Sequence, residues 1–542
     1  MTDTVATIMD YPLTLNHFLE RMNTIFPTVE VVSRHPDKSV RRRSYAEVYR
    51  RARQLAKALT GAGVKKGERV ATLSWNHTTH LECYYGIPAA GAVMHTLNLR
   101  LSPHDIGFIA THAEDKILIV DDVLLPLYDQ FKDAIPAHRL VVVPFGDAVP
   151  DGLESYEDFI AGGEGPFDYP ALDEHDGCAM CYTSGTTGDP KGVIYSHRGM
   201  VLHSIVSATP DMMRLSQNDT IMPVVPMFHA NAWGLPYTAT AVGAKLVFPG
   251  PHMDAESLLE LFEKEKVTFS GGVPTIWLAI IQALEAEPKR WQLVEGVRTV
   301  VGGSAAPPSL IRRFDDFGIT VLHAWGMTEM SPLGTVATVK ANLADRADEY
   351  RMKQGYAAPL VDLRATDDNG AEVPWDGRTM GELEVRGPWV ASRYHNNPGA
   401  ADRWTADGWF KTGDIVTIDS EGYVQITDRS KDVIKSGGEW ISSVDLENAI
   451  MGHPAVKEAA VIALPHPKWD ERPVACVVLK EGASLTQDEL NAFLSENFAK
   501  WQLPDALVVI EEIPKTSTGK FQKVALRSQF KDWSWDEQRK AS

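Results

Sequence analysis

The segment Tyr182-Thr-Ser-Gly-Thr-Thr-Gly-Asp-Pro-Lys-Gly192 concentrates reactive chemistry. It has three glycines, four hydroxyl side chains from Thr183 to Thr187, and a lysine near its end. Glycine lets a backbone approach a ligand closely, and successive N–H groups form a nest for an anion. Hydroxyls add donors, and a threonine oxygen can help hold Mg²⁺ on a polyphosphate. The pattern is not a Walker A loop, which needs Gly-Lys-Ser/Thr; here the lysine stands in Pro190-Lys191-Gly192. Just upstream, Cys178-Ala-Met-Cys181 has the spacing of redox and zinc sites. No second pair and no histidine set accompanies it, and the segment reads as a buried strand. Two packed thiols are the expectation.

Shorter constellations follow in order. Gly302-Gly-Ser-Ala-Ala-Pro307 is a glycine turn of the kind that joins a strand to a helix. His323-Ala-Trp-Gly-Met-Thr-Glu329 offers a flat indole and an acid. Trp409-Phe-Lys-Thr-Gly-Asp414 ends in a carboxylate, which can accept two O–H bonds. Asp428-Arg-Ser-Lys-Asp-Val-Ile-Lys-Ser-Gly-Gly438 and Pro514-Lys-Thr-Ser-Thr-Gly-Lys520 complete the set. Each alone is an ordinary turn or helix start. As an ordered set they resemble the motifs of the adenylate-forming superfamily: acyl-CoA synthetases, peptide-synthetase adenylation domains and luciferases. The resemblance covers nearly the whole chain.

That resemblance implies a role for each motif. Thr183, Ser184, Gly185, Thr186, Thr187 and Lys191 would hold the phosphates of ATP. Gly303, Ser304 and Ala305 would contact adenine, as would His323, Ala324, Trp325, Gly326 and Met327. Trp325 stands where the family usually has tyrosine and keeps a flat face for the base. Thr328 would bond the α-phosphate. Glu329, with Thr183, would hold Mg²⁺, a hard cation that prefers oxygen. Asp414 would bind the ribose hydroxyls, and Arg429 would reach ribose or phosphate. Asp428 would be the hinge of a small mobile domain, with Lys435 contacting nucleotide after rotation. Ser436, Gly437, Gly438, Glu439 and Trp440 would form the face that admits the pantetheine arm of coenzyme A. Lys520 would enter the site for adenylation. Lys523, three residues on, is a candidate phosphate contact, with a surface charge as the first expectation.

The implied reaction is ATP-dependent acyl-CoA ligation through acyl-AMP, with Lys520, His229, Thr328 and Glu329 as the catalytic set. The acyl pocket would comprise His229, Trp233, Gly234, Gly303, Gly326 and Met327, with Gly271–Thr275 opposite. His229 would gate water or CoA. The bulk of Trp233 and Met327 predicts a short, sulfur-tolerant or medium-length pocket rather than a long-chain tunnel. No aspartate for a substrate amine follows Phe228 and no carrier domain follows the motifs, which favours free CoA as acceptor. Leu97-Asn-Leu-Arg-Leu101, Met227-Phe-His-Ala-Asn-Ala-Trp233 and Trp469-Asp-Glu-Arg-Pro473 are similar to ligases of 3-methylmercaptopropionate, the acid of bacterial dimethylsulfoniopropionate breakdown. Most relatives have glycine where this chain has Asp470. The alternatives are a ligase of medium-chain fatty or aromatic acids, or a nucleotide-binding regulator without turnover. The resemblance also implies a homodimer.

Composition sets the outer bounds. Lys and Arg number 53 against 72 Asp and Glu, a formal charge of −19, which argues against nucleic-acid or polybasic membrane binding. Four cysteines are too few for a disulfide scaffold and fit a reducing compartment. The N-terminus carries Asp3, Asp10, Glu20 and Arg21 without an apolar h-region. No run approaches the roughly 18 apolar residues of a membrane span. The cytoplasm is the expected location.

These motifs need rigid elements behind them. At roughly 150 residues per domain the 542-residue length predicts three or four structural units. Ser44-x-x-Glu47 is a capping box, and Ser102-Pro103 opens a second helix. Val70–Ser74, Lys116–Val120, Ala244–Phe248, Val267–Ser270 and Arg298–Val301 read as strands alternating with helices, hence α/β layers with mainly parallel sheets. From about residue 355 to 427, short strands between Gly- and Asp-rich turns predict a small antiparallel β-barrel. From 428 to 542 a compact α+β unit is expected. The predicted architecture is a large N-terminal domain, 1–427, of two layered α/β subdomains plus the barrel, and a small mobile C-terminal lid.

Overall fold

The first long helix, Tyr45–Gly61, shows how locally the chain is specified. The Ser44 hydroxyl accepts from the Glu47 N–H while the Glu47 carboxylate accepts from the Ser44 N–H, closing the expected capping box. Ser102 caps Pro103–Ala113 in the same way, with proline at the first turn. The computed structural model describes residues 7–136, 138–146, 148–183, 189–303, 306–436, 439–515, 521–531 and 533–535, with 439 and 440 as backbone only.

Two α/β layers form the bulk. One is a seven-stranded sheet in the order Glu154–Ser155, Arg139–Val143, Ile117–Asp121, Arg69–Leu73, Val93–Thr96, Gly177–Tyr182, Gly192–Ser196. It is parallel except for its last pair, the hairpin whose connection is the glycine-rich loop. The other is a nine-stranded sheet. Its parallel centre includes Thr220–Pro223, Phe269–Gly272, Arg298–Val301 and Thr320–Gly326, and its antiparallel ends are Val40–Ser44 on one side and Leu333–Val336 with Tyr356–Ala357 on the other. Ile117–Asp121 is buried at every position, as a strand covered on both faces must be.

The segment expected as a barrel is a four-stranded antiparallel sheet, Asp362–Thr366, Gly381–Arg386, Phe410–Ile418 and Val424–Arg429 in sequence order. Among the described residues its outer strands do not pair with each other, so it is open rather than closed. Its last strand runs through Asp428 to Arg429, past the predicted boundary at 427. One apolar cluster runs from Leu15 to Val424 and unites both α/β sheets with this small sheet. The residues beyond form two separate clusters, on the two faces of the sheet built from Ile434–Ser436, Glu439–Ile441, Val456–His466, Asp470–Leu479 and Ala506–Val509. No described helix is long and apolar enough to cross a membrane.

Asp470 opens its strand with φ +70°. That left-handed backbone favours glycine and is tolerated by aspartate better than by most side chains. Asp470→Gly should therefore stabilise the C-terminal unit by up to ~1 kcal/mol, less glycine's extra freedom when unfolded. Urea melts monitored by limited proteolysis of that unit would show it. A loss of stability would mean that the carboxylate makes a compensating bond.

Candidate active site

The glycine-rich loop is clamped at its base. The Thr183 N–H donates to the Lys191 carbonyl at 2.9 Å, and the Lys191 N–H donates to the Thr183 hydroxyl at 3.1 Å. Ser184, Gly185, Thr186 and Thr187 lie outside the described residues, as do Ser304, Ala305, Gly437, Gly438 and Lys520 and the side chains of Glu439 and Trp440. Thr183 and Lys191 open into a cavity of about 480 Å³. The same cavity is lined by His229, Trp233, Gly303, His323, Ala324, Trp325, Gly326, Met327, Thr328, Glu329, Asp414, Asp428 and Arg429. Chain segments more than 200 residues apart thus meet in one place.

The stretch from Met327 to Leu333 forms one wall and is pinned from several sides. Tyr195, on the strand leaving the glycine-rich loop, donates its hydroxyl to the Thr328 carbonyl at 2.8 Å. Tyr394 donates to Glu329 Oε1 at 2.6 Å, and the Ala391 N–H donates to the Glu329 carbonyl at 2.7 Å. Trp389 Nε1 donates to the Leu333 carbonyl, while the Leu333 N–H donates to His203 Nε2. Burial pushes the His203 imidazole down to about 3, so it accepts that bond as the neutral ring. Glu329 Oε2 has no protein partner among the described residues. One buried carboxylate with a free oxygen suits Mg²⁺ carried on a phosphate chain, which keeps most of its own ligands, better than a closed protein cage.

Asp414 is buried and doubly engaged. Trp325 Nε1 donates to its Oδ2 at 2.8 Å, and Arg429 Nε donates to its Oδ1 at 2.7 Å. The indole is therefore a hydrogen-bond donor to the candidate ribose acid, beyond the flat face read from the sequence. His323 also differs from expectation. Its Nε2 accepts from the Ala306 N–H and its Nδ1 faces the Met352 carbonyl. Both ring nitrogens are spent inside the protein, so the ring holds the glycine turn that precedes Pro307.

The acyl side of the cavity stands on an unusual turn. Ala230, Asn231, Ala232, Trp233 and Gly234 all have positive φ, from +43° to +73°. A left-handed turn costs roughly 1–2 kcal/mol at each non-glycine residue and persists only where its surroundings over-determine it. Here they do. Asn76 donates to the carbonyls of Pro223 and Val225 and accepts from the Met227 N–H, all at 2.7–3.1 Å. Thr96 donates to the Phe228 carbonyl, and Cys181 donates to the buried Asn231 side chain. Gly234 lies behind the wall: a Cβ there would sit 2.6 Å from His203 Cε1. A Cβ added at Gly271 or Gly302 would lie 3.6 Å from the Trp233 ring, so both glycines leave space beside the indole. Cys178 and Cys181 are buried free thiols, as expected, and no metal-binding group of acids, histidines and cysteines occurs among the described residues.

The C-terminal unit reaches the same cavity through Val444, Glu447, Asn448, Met451 and the run Phe521–Val524. Lys523 is the main departure from the sequence reading. It is not a free surface charge: its side chain is only 10% exposed, pairs with Glu447 at 2.7 Å and bonds the Ser443 hydroxyl. Burial opposes its charge, but Glu447, Asp428 and Asp432 outweigh that and hold the ammonium above its usual range. Burial pushes Glu447 up to about 7 against the pull of Lys523. Asp428 accepts from the Ser443 N–H at 2.6 Å and from the Arg429 N–H at 2.8 Å. Arg527 pairs with Asp432 at 2.7 Å. Lys435 and Ser436 do not line the cavity; the Lys435 N–H donates to Glu471, and Ser436 accepts from Arg472.

Sequence reading missed Tyr394, Arg403 and Lys431, which also line the cavity. They fall between or inside motifs, where single side chains carry no pattern.

Family models match along most of the chain: AMP-binding enzyme over residues 21–395 and AMP-binding enzyme C-terminal domain over 445–520. The chain belongs to the AMP-binding enzyme family. It is 51% identical to the long-chain-fatty-acid–CoA ligase of Thermus thermophilus, over 97% of each chain. It is 44% identical to the 3-methylmercaptopropionyl-CoA ligase of Ruegeria pomeroyi, over 97% of this chain and 98% of that one. The solved anthranilate CoA ligase AuaEII, in complex with anthranoyl-AMP, matches with a TM-score of 0.86 at 27% identity, covering 96% of this chain and 98% of that chain. Within the AMP-binding enzymes this chain is an acid–thiol ligase that makes acyl-CoA.

Proposed function

We propose that the acid is 3-methylmercaptopropionate, activated by ATP as acyl-AMP and passed to CoA. The observation that carries this reading is the acyl wall. Trp233, Met213 and Met327 line the same cavity, and a Cβ added at Gly271 or Gly302 would lie 3.6 Å from the Trp233 ring, so the glycines leave space beside the indole. A short acid with a soft sulfur fits such a wall. The Ruegeria relative carries this acid in its name, which supports the reading. The long-chain alternative draws on the Thermus relative.

In the first half-reaction a carboxylate oxygen attacks the α-phosphorus. The bond to the bridging oxygen breaks, and its electron pair leaves on pyrophosphate. The protein's task is positioning and charge neutralisation. Thr328 and Lys520 hold the α-phosphate, Asp414 and Arg429 hold the ribose, and the loop from Thr183 to Lys191 holds the outer phosphates. Glu329 with Thr183 would hold Mg²⁺, which supplies charge neutralisation along those phosphates. In the second half-reaction the CoA thiolate attacks the acyl carbon and AMP leaves. We assign residues 1–427 to a body and 428–542 to a lid that turns at Asp428, withdrawing Lys520 and bringing up the face around Gly437 and Gly438. His229, between the acyl and thiol sides, gates the thiol's approach.

A carboxylate panel tests the substrate: 3-methylmercaptopropionate, butyrate, hexanoate, octanoate, palmitate and benzoate, each with ATP and with or without CoA. The thioether acid should give the highest kcat/KM. Its margin over a chain one methylene different should be about 10–200-fold at most. A clear win for palmitate would establish the long-chain reading instead, and a win for hexanoate, octanoate or benzoate would move the substrate to medium-chain or aromatic acids.

A further inference from the structure

Two of the cations at the cavity are already spent. Arg429 is paired with Asp414, and Lys523 with Glu447. Arg403 is different. It lines the cavity beside Tyr394, Gly413 and Asp414, yet has no carboxylate partner among the described residues. Its Nε is buried and has no hydrogen-bond acceptor among the described residues. A buried donor without a partner is costly unless a ligand satisfies it.

The side chain is nonetheless well held. Its guanidinium lies over the Phe410 ring, 5.4 Å from the centroid. A Cβ at Gly413, which has φ +76°, would come within 3.6 Å and 3.7 Å of its two terminal nitrogens, so the glycine leaves the fork uncovered. The neighbouring Trp404 packs edge-on against Tyr394 at 5.2 Å. Around that tyrosine the remaining phosphate chemistry gathers: Lys191 stands 5.7 Å over its ring and Glu329 accepts from its hydroxyl. Lys191 likewise has no carboxylate partner among the described residues. One corner thus holds the lysine that closes the glycine-rich loop, an acid suited to Mg²⁺, and a fixed guanidinium fork. A planar fork with five donors matches phosphate oxygens better than any other side chain.

We propose that Arg403 binds the β- and γ-phosphates of ATP and the pyrophosphate they become. This rests on the reading that the phosphate chain lies along the loop from Thr183 to Lys191. The residue touches only the leaving half of the nucleotide. It neutralises charge as the electron pair of the broken α-phosphorus–oxygen bond passes to pyrophosphate. It has no part in the attack of thiolate on acyl-AMP, because pyrophosphate has left by then.

Arg403→Gln removes the charge, and Arg403→Lys keeps the charge but not the fork. Thermal melts establish that both are folded. With Mg²⁺ present, calorimetry measures ATP and AMP binding, and kinetics give KM for ATP in pyrophosphate release and KM for inorganic pyrophosphate in the reverse reaction from acyl-AMP. Arg403→Gln should weaken ATP and pyrophosphate by about ten- to a hundredfold, the loss of one or two charge-assisted bonds. AMP binding and thioester formation from supplied acyl-AMP should change less than about twofold, and Arg403→Lys should fall between. Equal weakening of ATP and AMP, or no weakening of either, would overturn the proposal while leaving ligase activity intact. A wild-type enzyme that releases no pyrophosphate with any acid would overturn the ATP reading beneath it.

Discussion

Lys520→Ala will lower pyrophosphate release with acid and ATP by about 10²–10³-fold, while conversion of supplied acyl-AMP and CoA to thioester stays within a few-fold of wild type. The magnitude is that of removing one preorganised donor from a developing anion. The geometry behind it is the anchoring of the chain that follows Lys520. Phe521–Val524 line the cavity that Thr328, Glu329 and Asp414 also line. Lys523, within that run, is bonded to Glu447 and Ser443, and Arg527 is bonded to Asp432. The chain directly after Lys520 is thus held at the cavity. The two half-reactions are measured separately, as pyrophosphate release and as CoA-dependent consumption of acyl-AMP. Equal loss in both would refute the division of labour.

Gly326→Ala will abolish most activity while leaving a folded protein. A Cβ at Gly326 would lie 1.9 Å from the Pro332 carbonyl oxygen and 2.9 Å from its carbon, with the Gly334 nitrogen at 3.4 Å. These are backbone atoms and cannot swing aside as a side chain would. The segment from Met327 to Leu333 must move by over an ångström, and it carries Thr328 and Glu329. Misplacing reacting groups by about 1 Å costs on the order of 10²-fold. The stability cost should be that of local overpacking, about 1–3 kcal/mol. Steady-state kinetics with a thermal melt would separate the two effects. An alanine variant with normal kcat would show that this wall is not tied to the chemistry.

Much of this was legible because sequence patterns report local physics. The capping box at Ser44 and the helix start at Ser102-Pro103 are both present, because a cap needs only four residues. The strand at Arg298–Val301 has the predicted bounds. Described residues of the glycine-rich loop, of the turn before Pro307 and of the motifs ending in Glu329 and Asp414 line one cavity because these motifs lie at strand ends. What was not legible depends on distant pairs. Nothing near Lys523 in sequence announces Glu447, 76 positions upstream, so an interior ion pair read as a surface charge. Trp325 as donor to Asp414 needs two strands brought together from 89 positions apart. The left-handed turn at Ala230–Gly234 contains two alanines and a tryptophan, residues that give no hint of positive φ. It is imposed by Asn76, Thr96 and Cys181 from elsewhere in the fold. The small sheet was misjudged as a barrel because closure depends on edge pairing, which strand patterns do not encode.

The four cysteines carry one more consequence. All of them, Cys83, Cys178, Cys181 and Cys476, are buried, and burial holds every one of their thiols above the usual range, Cys476 at about 12. Only the thiolate exchanges with disulfides or reacts with electrophiles. An enzyme that handles a thiol substrate thus offers that substrate nothing to form a mixed disulfide with, and oxidised CoA would find no foothold on it. For the experimenter the same burial leaves a blank background. One cysteine introduced on an exposed face of the C-terminal unit and one on the N-terminal body would be the two fast-reacting thiols, so a fluorophore pair testing the proposed rotation could be attached without removing any native cysteine.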